Sequence, residues 1–198
     1  MSTELITKLR EMTGAGIMDC RNALKEAAND LDKACQWLRE KGMASAVKRA
    51  GRTAKQGLVN SYIHGAGTLG VLVEVNCETD FVAKTEDFQN LVKEIAMQVA
   101  AVAPTYVTRE QVPESMIEAE KTIYKAQLKE EGKPEKVWDK IIEGKVEKFY
   151  QQVCLMEQAY MRDTTGKTTI KDLVTNAIAK IGENIVVKRF ARFKLGEE

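Results

Sequence analysis

Thr79-Asp80-Phe81-Val82 is the part of this sequence best suited to act on another molecule. Ahead of it, Leu69, Val71, Val73, Val75 and Cys77 alternate with Gly70, Leu72, Glu74 and Asn76, the period of a half-buried strand. The alternation stops at Thr79-Asp80, and a helical pattern starts near Thr85. A carboxylate and a phenyl ring therefore stand side by side on a strand-to-helix corner. An aromatic anchor on a rigidly framed corner suits a wedge that enters a second protein. It does not suit bond chemistry, because no general base or nucleophile stands beside it. A plainer role is open at both positions: Phe81 lies seven residues before Phe88 and could extend the apolar stripe of the following helix, and Asp80 could cap the turn.

Other segments look like chemistry and fail on context. Gly65-Ala66-Gly67-Thr68-Leu69-Gly70 spells G-x-G-x-x-G, but it leads into Val71-Leu72-Val73-Glu74-Val75, a strand. A dinucleotide site needs those glycines to open a helix whose N-terminus faces the pyrophosphate, so a hairpin turn is expected. Gly166-Lys167-Thr168 resembles the end of a phosphate loop, yet Met161 stands where the first glycine is required. His64 is the single histidine, at a strand end, with no serine or cysteine partner in sequence. Cys20, Cys35, Cys77 and Cys154 are scattered without a C-x-x-C pair, which argues against zinc and for reduced thiols. Met12 and Met18 flank Thr13-Gly14-Ala15-Gly16, where methionines serve either interhelix packing or an adaptable surface for a partner helix.

The elements that must position these residues read as an α+β chain. Leu5, Ile6 and Leu9 stripe a first helix, broken at Thr13 to Gly16; Ile17, Cys20, Leu24 and Ala27 stripe a second. Asp30 offers an N-cap to a third, striped by Leu31, Ala34, Cys35 and Leu38, for which Gly42 can supply the C-cap. Residues 1–42 thus form a three-helix bundle like a ubiquitin-associated (UBA) domain. Residues 43–55 read as a basic linker; Lys41, Lys48, Arg49, Arg52 and Lys55 could also follow an acidic groove or a phosphate backbone. The core, 56–198, holds strands over 58–64, 69–77 and 185–195 in a small antiparallel three-stranded sheet. Its helices are striped by Phe88, Leu91, Val92, Ile95, Val99 and Val102, and by Ile170, Leu173, Val174, Ala177, Ile178 and Ile181. Pro113 and Pro134 start the two arms of a helical hairpin over about 113–160 that turns at Gly132-Lys133.

Composition narrows the function classes. The chain has 198 residues, 44% apolar and 30% charged, typical of a globular domain. Its 30 basic and 29 acidic residues nearly cancel, so no global field demands nucleic acid. No apolar run approaches the roughly 18 residues of a membrane span, and the start Met-Ser-Thr-Glu-Leu-Ile-Thr-Lys lacks the pattern of an export signal. A cytoplasmic protein without cofactor or metal of its own is expected.

Glu74 to Lys84, read as E-V-N-C-E-T-D-F-V-A-K, resembles the signature of the elongation factor Ts family, bacterial factors that strip nucleotide from the translational GTPase elongation factor Tu. A second match runs from Leu9 to Leu24, and Gly-Glu-Asn-Ile-Val-Val at 182–187 is also typical, so the resemblance covers almost the whole chain. Arg21 departs from it, since lysine is common there; charge is kept but hydrogen-bond geometry differs.

The resemblance implies a guanine nucleotide exchange factor, not an enzyme. Thr79, Asp80, Phe81 and Val82 match the segment that dislodges magnesium from elongation factor Tu. Arg10, Ile17, Met18 and Arg21 match positions with which the N-terminal bundle grips a helix of that GTPase. Short members of the family pair through the sheet region, which implies a homodimer engaging two GTPase molecules. Two rivals stand beside this reading: a nucleic-acid or ribosome-binding protein, for which the basic tract and the basic last strand speak, and an enzyme of unrecognised type, against which the missing catalytic constellation speaks.

Overall fold

The computed structural model describes residues 2–197. Among them the chain forms α1 (Thr3–Thr13), α2 (Ile17–Glu26), α3 (Leu31–Arg49), β1 (Gln56–His64), β2 (Leu69–Cys77), α4 (Asp80–Ala83) and α5 (Glu86–Val102). It continues with α6 (Glu114–Glu130), α7 (Trp138–Val153), α8 (Ile170–Ile181) and β3 (Val186–Lys194). The sheet is antiparallel with order β1-β2-β3, so the fold class is α+β as the periodicities suggest. Two compact units divide the described residues: one holds those up to 60 together with 73–94 and 172–188, the other 61–72, 95–171 and those from 189 on.

In the first unit the N-terminal helices bury one stripe each. Leu9, Cys20, Ala23, Leu24, Ala27 and Ala34 form a common core, with Leu5, Ile6, Leu31 and Leu38 packed against it. Gly14, at φ 68°, ends α1 in the left-handed conformation, and its N–H returns to the Arg10 carbonyl at 2.7 Å. Asp30 caps α3 by accepting from Lys33 N at 3.0 Å, which holds its carboxyl below the usual range.

One boundary differs from the sequence reading. Gly42 does not cap α3, which runs on to Arg49, so residues 43–49 of the expected linker are helical. Gly42 instead lies buried inside the helix, where a Cβ would stand 3.2 Å from the Ala179 Cβ of α8. Arg39, one turn earlier, pairs with Asp172 at the start of α8 at 3.2 Å. A glycine inside a helix costs about 1 kcal/mol against alanine; here it buys close approach of two helices. Around this packing Val73, Val75, Cys77, Phe88, Val174 and Ile178 are buried.

In the second unit Ile95, Ala96, Val99, Leu155 and Ile170 are buried with two polar side chains, Gln98 and Gln158. Both are satisfied: Gln98 accepts from Met161 N at 2.9 Å and donates to the Ala159 carbonyl at 3.1 Å, and Gln158 donates to the Gln152 carbonyl at 2.8 Å. The α6–α7 hairpin follows Pro113 and turns through Gly132 at φ 65°. Arg109 ties its second arm down, pairing with both Glu147 and Glu157 beneath the Tyr150 ring.

Candidate functional site

The corner after β2 is a separate short helix, not a loop. Thr79, extended at φ −125°, caps α4 by accepting from Val82 N at 3.3 Å. Thr85 Oγ1 then accepts from Phe88 N at 3.3 Å, beginning α5 with a fresh cap. The chain thus breaks at Lys84-Thr85, and the seven-residue spacing from Phe81 to Phe88 does not fall on one continuous face. Phe88 is fully buried, while Phe81 keeps 77% of its surface in water. The plainer role as part of the core stripe is therefore not the one Phe81 has. Val82 is half-buried, and Ala83 is the side chain that α4 turns inward.

Asp80 is not the cap either. Its Oδ2 accepts from Lys84 Nζ at 2.7 Å, one turn along, and this hydrogen bond holds the Asp80 carboxyl below its ordinary value. The same ammonium stands 5.8 Å from the centre of the Phe81 ring. Lys84 therefore touches both residues of the candidate wedge. Sequence reasoning passed over it, although the i,i+4 spacing would have shown it once 80–83 were read as helix.

The base of the corner is held from a distant part of the chain. Glu183 Oε2 accepts from the backbone N of Glu78 and of Thr79, each at 3.0 Å, and its Oε1 accepts from Thr79 Oγ1 at 2.7 Å. In return, Glu78 Oε1 accepts from Asn184 N at 2.6 Å and pairs with Arg52 at 3.5 Å. Asn184 Nδ2 donates onward to the Arg52 carbonyl at 2.8 Å. No local signal in the sequence joins residue 78 to residue 183.

The second candidate cluster lies on the bundle in the same unit. Arg10 is exposed in the last turn of α1, and Ile17, Met18 and Arg21 are exposed in the first turns of α2, with Ile17 57% and Met18 61% in water. The face of α2 that turns inward is Cys20, Ala23 and Leu24 instead. Met12 is exposed too, so neither methionine at the Thr13 to Gly16 break is taken up by the bundle core. Lys41 of the basic tract pairs with Asp19 at 2.7 Å and stands over the Trp37 ring.

The segments that mimic other chemistry take plain roles. Gly65–Gly67 is a short 3₁₀ turn between two strands. His64 hydrogen-bonds to the Tyr62 hydroxyl at 3.0 Å and stacks on its ring. At 163–168 the Asp163 carboxylate accepts from Thr165 N, Lys167 N and Thr168 N, so an acid of the chain fills the loop. All four cysteines are free, and burial pushes the Cys154 thiol up to about 11. Among the described residues no helix is long and apolar enough to cross a membrane, and no three His, Cys, Asp or Glu side chains group to hold a metal.

Comparison with known proteins adds a consistent pattern. The sequence model of the family described as Elongation factor TS matches residues 17–168. Elongation factor Ts of Caldanaerobacter subterraneus subsp. tengcongensis is 59% identical over 197 residues, covering all of this chain and 98% of the relative. Elongation factor Ts of Moorella thermoacetica is 58% identical over 192 residues, 97% of this chain and 94% of the relative. That of Fervidobacterium nodosum is 56% identical over 197 residues, with 100% and 99% covered. Ile17 to Arg21 and Thr79 to Val82 fall inside the span the family model matches; Arg10 precedes it.

Proposed function

The chain belongs to the elongation factor Ts family, a family of translation elongation factors, and from that premise we propose that it promotes release of GDP from elongation factor Tu by displacing Mg²⁺ and stabilising the nucleotide-free GTPase. The observation that carries this reading is Phe81, a phenyl ring 77% in water at the tip of a capped and braced corner. An aromatic side chain presented on a fixed backbone is of the kind that anchors protein interfaces.

A GTPase holds GDP through its phosphate loop and a Mg²⁺ ion that offsets phosphate charge. Phe81 pushes between elements beside that ion, and Asp80, released from Lys84, accepts hydrogen bonds from the elements displaced. Arg10, Ile17, Met18 and Arg21 grip a helix elsewhere on the nucleotide-binding domain. The magnitudes require both clusters. Speeding release about 10⁴-fold lowers its barrier by about 5–6 kcal/mol, whereas burying one phenyl ring supplies roughly 1.5–3 kcal/mol. Linkage makes the effect reciprocal, so GDP weakens binding of the chain by the factor with which the chain weakens GDP.

The chain makes and breaks no covalent bond in this scheme, and it acts in the cytoplasm, where translation runs. We read the assembly as a homodimer bound to two GTPase molecules. Ile63, Leu72, Phe193 and Leu195 line an open apolar hollow of the sheet, with Phe193 69% and Leu195 81% in water, which supports pairing through that face. Release of a fluorescent GDP from elongation factor Tu, followed with and without the chain, tests the reading: a large acceleration is expected, and equal rates contradict it.

A further inference from the structure

The geometry points to Glu183 as the positioning residue of the Thr79–Val82 corner, a role that rests on the exchange reading and deepens it. Past Cys77 the strand ends, and the N–H groups of Glu78 and Thr79 both point at Glu183 Oε2. The other oxygen takes the hydroxyl hydrogen of Thr79. Committing that hydrogen leaves the Thr79 oxygen free to accept from Val82 N, which is the cap of α4. A helix of four residues has no cooperative ladder to sustain it. Its direction is therefore set at its base, and one carboxylate makes three of the bonds there.

The core does not hold the Phe81 ring, which is 77% in water and has the Lys84 ammonium 5.8 Å from its centre. Its aim follows the backbone of residues 79–84, which carries both the ring and that ammonium. The clasp is also reciprocal: Glu78 accepts from Asn184 N and pairs with Arg52, and Asn184 reaches the Ala50 and Arg52 carbonyls just beyond α3. The corner is thereby referenced to the helix that packs within the bundle carrying Arg10, Ile17, Met18 and Arg21. Glu183 acts through this geometry, without touching the GTPase, by having the ring ordered before the partner arrives.

The test is a double-mutant cycle on GDP release at saturating concentrations of the full-length chain, with amide hydrogen exchange on the chain alone. Glu183→Ala is expected to slow release about tenfold, the factor one charge-assisted hydrogen bond carries. Added to Phe81→Ala, it is expected to slow release no further, because both act through one ring. In the free chain it is expected to speed exchange of the Glu78 and Thr79 amides. A purely structural role lowers the melting temperature without that dependence on Phe81. Parental release by Glu183→Ala, slowing that multiplies with Phe81→Ala, or unchanged amide exchange overturns the proposal while the exchange reading stands. Parental release by Phe81→Ala alone overturns the wedge role of that ring instead, while acceleration of release by the chain stands, and the clasp is then decided by the amides. If Glu183→Ala does not fold, Glu183→Gln, which keeps one accepting oxygen, is judged by the same outcomes.

Discussion

Leaving a phenyl ring in water forgoes roughly 1.5–3 kcal/mol of burial, and Phe81 does so within seven residues of the fully buried Phe88. Phe81→Ala is therefore expected to leave thermal stability nearly unchanged, unlike truncation of a core residue such as Leu9, which costs about 2–5 kcal/mol. Asp80 carries a second prediction at this scale. Its carboxyl is held down chiefly by the Lys84 hydrogen bond, so Lys84→Ala is expected to return it toward its ordinary value of 3.8. The sign follows from linkage: a depressed folded pKa gives stability present above 3.8 and lost as pH falls through the folded value. NMR titration of Asp80 in the two proteins measures the shift; identical titrations contradict the pairing. Thr79, Asp80, Phe81 and Val82 were legible as a corner because the strand period of 2 stops there. Which of them caps was not, since Thr and Asp are both good caps and only the backbone decides between them.

At the scale of elements, periodicity located the strands and the long helices because each buries one face. It misplaced the end of α3 at Gly42 for a physical reason: a glycine that serves close packing and a glycine that caps a helix look alike in sequence. The packing reading predicts that Gly42→Val, which drives two branches toward Ala179, destabilises the fold by about 1–3 kcal/mol. Urea unfolding measures it; an unchanged midpoint means that α3 and α8 do not meet closely. The clasp between Glu78 and Glu183 was equally invisible, because it joins residues more than a hundred positions apart through side chain to backbone bonds. Such pairs leave no periodic trace.

For the whole molecule, near-neutral charge and an exposed apolar hollow on the sheet favour protein partners over nucleic acid. Two of the five basic residues of the tract are answered within the chain, Lys41 by Asp19 and Arg52 by Glu78. On the proposed pairing through that hollow, Phe193→Glu places a charge there and is expected to convert dimer to monomer in sedimentation; a parental sedimentation coefficient contradicts pairing through this face. The central claim is that Phe81 acts on the partner's Mg²⁺. GDP release from elongation factor Tu, driven by the parental chain and by Phe81→Ala, with Mg²⁺ and with a chelator, tests it most directly. With Mg²⁺ the variant is expected to be roughly ten- to a hundredfold slower, and with the ion removed the two rates should converge. Equal rates with Mg²⁺ present, or a defect that persists undiminished in the chelator, would contradict the account.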